Sequence, residues 1–206
     1  PLAQDGPPPA WYREVTGVLL THRQKRELPL IDTKRLTAWN GLMMAALARL
    51  AITVPDSWYG DAALTTWHAL QRELHDPQIG FLHSSGRFPH PQAATTEDLT
   101  ALAFGLSELA LATGQETLSK TAHKLCQLAQ GLMTNGQHHN HGMPYPYGAL
   151  DPHDGVIPSP QSLYAMAQHR SSKHWPDDGL DNAEHLQRTF AQPVNQAWFL
   201  ATLPYE

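Results

Sequence analysis

Thr37-Ala38-Trp39-Asn40-Gly41-Leu42-Met43-Met44-Ala45-Ala46-Leu47-Ala48-Arg49-Leu50-Ala51-Ile52-Thr53 is the stretch on which the fold turns. It holds a single charge, and Leu42, Met43, Ala46, Leu47 and Leu50 recur at the spacing of one helical face. A hydroxyl at Thr37 can cap the first turn, and Pro55 ends the run. The pattern predicts a helix from Ala38 to about Thr53, central and largely buried, with Leu42, Met43, Ala46 and Leu47 facing inward.

Outward from this helix, the same period continues on both sides. Ala10 to about Arg26 places Trp11, Val15, Val18, Leu19 and His22 on one face, and Leu28-Pro29-Leu30 breaks it. Tyr59 to Leu74 carries Ala63, Trp67 and Leu70. Two short apolar runs between Asp76 and Phe88 predict a small hairpin around Ser85-Gly86, with strand confined to such pieces. Thr96–Thr113, capped by Thr95 or Thr96 and stopped by Gly114, and Glu116 to about Met133, stopped by Asn135-Gly136, form an αα-hairpin. Between Gln137 and Pro160, prolines, glycines and histidines predict a loop without regular structure, the place to look for a site. Gln161 to about Ser171, Asp181–Ala191 and a final turn, Val194–Leu203, complete about seven helices. Serial helical hairpins of this kind predict an all-α protein built as a toroid or solenoid, with one small β-hairpin.

Composition agrees with a compact helical body. The 206 residues are 41% hydrophobic, with six tryptophans, which is enough apolar surface for a sizeable core in one domain. Residues 1–9, rich in proline, predict an extended linker preceding a domain over 10–206, as though left from something upstream. No window is long and apolar enough for a membrane span. The excess of 19 acidic over 14 basic residues lacks the clustered positive charge that binds nucleic acid. A lone Cys126 excludes an internal disulfide framework and, with no signal segment, predicts the cytoplasm.

Asp32-Thr33-Lys34-Arg35-Leu36-Thr37-Ala38-Trp39-Asn40-Gly41-Leu42-Met43 resembles the signature of the YyaL-type proteins, bacterial relatives of the spermatogenesis-associated thioredoxin-like proteins. Glu97-Asp98-Leu99-Thr100-Ala101 with Gly105-Leu106 and Ala112-Thr113-Gly114 is similar to the family's next hairpin, and Asp154-Gly155-Val156-Ile157-Pro158-Ser159 to its late loop. The resemblance runs from about Val15 to Leu203. It implies the later part of an (α/α) toroid of the six-hairpin glycosidase type, without the thioredoxin domain and the early hairpins. Departures from the family pattern stand at Leu99-Thr100, where Tyr-Ala is usual, and at Pro160 and Gln161, where Gly and Asn are usual.

Loops at one rim of an αα toroid converge on a cavity, where aromatic faces stack on sugar rings and carboxylates supply acid and base. Trp39 and Asn40 are the candidate ligand-binding residues, and Asp98 and Asp154 the candidate catalytic carboxylates. Each has a plainer reading: a buried Trp beside a capping Asn, a helix cap at Asp98, an Asp-Gly turn at Asp154. His83, His138, His139, His141 and His153 could serve an epimerase near neutral pH, although none stands in a diagnostic motif. The run His138-His139-Asn140-His141 reads as a solvated loop rather than a metal site, and no cofactor motif occurs. An incomplete ring leaves an apolar helical face unpaired. The expected role is therefore an interaction or assembly subunit without catalytic activity, bound to another protein chain or to itself. The alternative is a sugar-active hydrolase or epimerase with a carbohydrate ligand at the rim.

Overall fold

Leu99 to Leu109 reads as apolar nearly all round, and such a helix is stable only when surrounded. The computed structural model describes residues 9–27, 29–55, 57–86, 91–134, 139–140, 143–144 and 155–171. In it the chain divides into two units, residues 1–33 and 34–206. The first holds helix α1 (Ala10–Gln24). The second holds α2 (Thr37–Thr53), α3 (Tyr59–Glu73), α4 (Thr96–Thr113), α5 (Glu116–Thr134) and α6 (Pro160–Ser171), so the described protein is mostly helical.

The central element is α4, not α2. Every residue of α4 from Asp98 to Leu109 is buried, because α2, α5 and α6 pack around it while α3 packs on α2. Thr95 and Asp98 close a reciprocal capping box at its start. Gly114 ends it in the left-handed region at φ 69°, its N–H bonding Ala110 O at 2.8 Å, which turns the chain into α5. Ser159 caps α6 through its hydroxyl to Ser162 N, and Pro160 occupies the first helical position, where its missing N–H costs nothing.

Against α4, α2 turns a face other than the one its large side chains suggested. Ala38, Gly41, Met44, Ala45 and Ala48 are buried, while Met43 and Ala46 are exposed and Leu42 and Leu47 only half-buried. The reason is close approach. A Cβ added at Gly41 would stand 2.7 Å from the backbone carbonyl carbon of Ala101, so the two helix backbones touch where Gly41 meets Ala101 and Gly105. Small residues, not large ones, make that contact.

The hairpin also shifts. Its strands are β1 (His75–Asp76) and β2 (Gly80–Phe81), antiparallel, with the turn at 77–79 rather than at Ser85-Gly86. Asp76 accepts the backbone N–H groups of Gln78 and Ile79 at 2.8 and 3.0 Å, which fixes that turn and lowers its pKa. Isolated bridges then join Leu82 to Ala93 and Ser84 to Leu36. A second ladder, β3 (His139–Asn140) with β4 (Met143–Pro144), lies within the stretch expected to lack regular structure. Expected helices at 181–191 and 194–203 lie outside the described residues. Among the described residues no helix is long and apolar enough to cross a membrane.

Candidate functional site

Helix α2 begins without a side-chain cap of its own. Leu36 occupies the capping position, and the Thr37 hydroxyl points away from the helix to Leu82 O at 2.5 Å. The free N–H groups of its first turn find partners from distant chain. Thr37 N donates to His83 O at 3.0 Å, and Ala38 N to Asp98 Oδ1 at 3.0 Å, across 60 residues of sequence. Asp98 therefore caps two helices at once. Its other oxygen, Oδ2, accepts Thr95 N and the Thr95 hydroxyl, both at 2.8 Å, and faces His83 Nδ1 at 2.8 Å.

This carboxylate is sealed from solvent, and each of its oxygens is engaged. A group that cannot touch a substrate cannot act on one directly, so the geometry makes Asp98 a positioning residue. The side chain it positions is His83, whose ring is 22% exposed. The hydrogen bond from its ring to Asp98 raises the His83 pKa above its ordinary 6.5, against a smaller opposing effect of burial. His83 is one of the five histidines that the sequence offers for proton transfer, and no motif there distinguishes it from the other four.

Trp39 and Asn40 lie in the same first turn of α2 as Ala38, so the structure brings three of the four candidate residues to one end of the helix pair. Trp39 is 63% exposed on the outer side of α2, and the Asn40 side-chain amide donates to Leu36 O at 2.8 Å. Asp154 lies outside the described residues, as do His138, His141 and His153. Among the described residues no group of three His, Cys, Asp or Glu side chains could hold a metal ion.

A second polar cluster, unforeseen from the sequence, ties the far part of α4 to its neighbours. Glu108, almost fully buried, pairs with Arg49 Nη2 of α2 at 2.8 Å and Arg170 Nε of α6 at 3.0 Å. The Arg49 guanidinium also lies over the Phe104 ring, 5.4 Å from its centroid. Beside this cluster is a cleft of about 180 Å³ bordered by Ser107, Gly114, Gln115, Ser119 and Arg170, on the opposite end of α4 from Asp98. That volume falls below the ~300 Å³ at which small-molecule pockets begin. Cys126 is buried in α5, and burial pushes its thiol pKa up, which makes it inert in the folded state.

What α2 presents outward is apolar. Trp39, Met43, Ala46 and Leu50 form one exposed stripe along it, continued by Val54 past its end. No family model matches the chain, and no curated protein matches it.

Proposed function

We propose that this chain is an interaction or assembly subunit, part of an incomplete (α/α) toroid of the six-hairpin glycosidase type, without catalytic activity of its own. The observation that carries this reading is the α2 stripe. Trp39 and Met43 are 63% and 58% exposed on a helix whose other face is packed in the core. Contiguous exposed apolar surface of this kind marks a protein docking site. A further feature supports it: the candidate catalytic carboxylate Asp98 is consumed by capping. The YyaL-type resemblance belongs to the same reading. The lone buried cysteine fits a cytoplasmic setting.

The test is native extraction of the chain from its source, followed by sizing. The chain should run in an assembly heavier than its own 22.8 kDa, and Met43→Glu with Leu50→Glu should release it. Recovery of the wild-type chain at its own mass would overturn the reading.

A second reading is favoured by one observation, the 2.8 Å contact between His83 and Asp98. A histidine aligned by a buried carboxylate is suited to proton transfer near neutral pH, as a sugar epimerase or hydrolase requires. On this reading His83 is the proton carrier, Asp98 its positioner and Trp39 the stacking face. His83→Gln would abolish turnover of a sugar substrate while leaving the fold intact. Absence of any turnover across a panel of free sugars and glycosides would leave the subunit reading alone.

A further inference from the structure

We infer that the cleft between the end of α4, the start of α5 and the end of α6 binds a small oxyanion of the phosphate class. Ser119 carries the inference. The residue is only 3% exposed, and it borders the cleft. Serine and threonine inside a helix satisfy their hydroxyls by donating to the carbonyl four residues back. Thr100, Ser107, Thr113 and Thr121 all do so, at 2.8 to 2.9 Å. Among the described residues the Ser119 hydroxyl has no hydrogen-bond partner, and the cleft is the space it faces. A hydroxyl so nearly withdrawn from solvent is costly to leave unmatched, so its placement calls for an acceptor from outside the chain.

The groups around it are donors as well. Arg170 brings a positive charge to the same cleft, and its Nε is held at 3.0 Å by the buried Glu108, which fixes the plane of the guanidinium. The first turn of the 19-residue helix α5 opens on the cleft at Gln115 and Glu116. The leading N–H groups of a helix find no partner within it, and that end carries partial positive charge, which suits an anion. Nearby acceptors are turned to other tasks. Leu109 O takes the Thr113 hydroxyl and Ala110 O the Gly114 N–H, both at 2.8 Å, while the Glu116 carboxylate pairs with Lys120 at 3.0 Å. Ser171 donates to Ser107 at 2.9 Å, and Ser107 to Ala103 O, so the two remaining hydroxyls of the cleft are fixed in place. At about 180 Å³ the space admits a small oxyanion and excludes the body of a drug-sized ligand. The cleft is lined by none of the α2 stripe, so the inference stands or falls apart from the docking reading.

Titration of the purified chain with inorganic phosphate, followed by amide NMR at constant ionic strength with chloride as the control, tests this. Phosphate should shift the amides of residues 114–119 saturably and raise the thermal midpoint. Ser119→Ala should weaken phosphate binding about tenfold, the worth of one hydrogen bond to a charged group. Its midpoint in chloride should be no lower than that of the parent, because the hydroxyl removed has no partner in the chain. Arg170→Gln should abolish binding; if that variant fails to fold for want of a partner to Glu108, the Ser119→Ala comparison decides alone. No saturable shift, a response that chloride reproduces, shifts confined to other parts of the chain, or a phosphate affinity that Ser119→Ala leaves unchanged would each overturn the inference.

Discussion

Asp98 shows how one buried side chain can look catalytic in a sequence and be architectural in the fold. Its oxygens hold the first turn of α2, the first turn of α4 and the His83 ring. The sequence carries one part of this: Thr95 and Asp98 have the spacing of a capping box, so the α4 cap is legible three residues away. The α2 cap is not, because no local pattern announces a partner 60 residues along the chain. The same contact makes a prediction about pH. A histidine whose pKa is raised on folding contributes stability that is complete below its unfolded value, near 6.5, and is lost as pH climbs through the higher folded value. Asp98, Glu97 and Lys34 are the charges acting on His83, and the first two favour its protonated form. Thermal unfolding followed from pH 6 upward should show a fall in midpoint that His83→Gln removes. An unchanged profile in that variant would show that the pair does not couple folding to protons.

At the scale of elements, the end of α2, the two ends of α4 and the start of α5 follow from punctuation the sequence displays, namely Pro55, Thr95 and Gly114. The rank and orientation of the helices do not. Large apolar residues at helical spacing mark a face that is hydrophobic, and Leu42, Met43, Ala46 and Leu47 satisfy that test. Yet which apolar face is buried is decided by how closely two backbones can approach. Gly41 and Gly105 allow α2 and α4 nearly to touch, so the glycine and alanine face goes inside and the Trp39–Met43–Leu50 face is left out. Gly41→Ala must push the helices apart or distort them, at a cost of ~1–3 kcal/mol or more, whereas Gln127→Ala on the exposed side of α5 should stay within ~0.5 kcal/mol. Urea unfolding of the two variants measures the difference. Equal midpoints would contradict the close crossing. The hairpin shifted for a related reason: Asp76 organises a turn over 77–79 through two backbone bonds, and a local Asx-type turn outcompetes the Ser-Gly pair that marked the later position.

For the whole molecule, a mostly helical body is legible from apolar residues at helical spacing, while the helix it is wrapped around is not: the spacing points to α2, and α4 takes the centre. A partner and a reaction are not legible, since neither is encoded in periodicity, and Asp98, one of the residues the sequence offers for chemistry, is spent on caps. The central claim is that the α2 stripe is a docking face, and neighbouring methionines provide the measurement. Met43 is 58% exposed on that stripe, and Met44, next in sequence, is 0% exposed in the core. Oxidation to the sulfoxide reports access to each. In the assembled state Met43 should resist peroxide as Met44 does; in the chain released by Leu50→Glu Met43 should oxidise readily while Met44 remains protected. Oxidation of Met43 at the same rate in the assembled and dissociated protein would contradict the account.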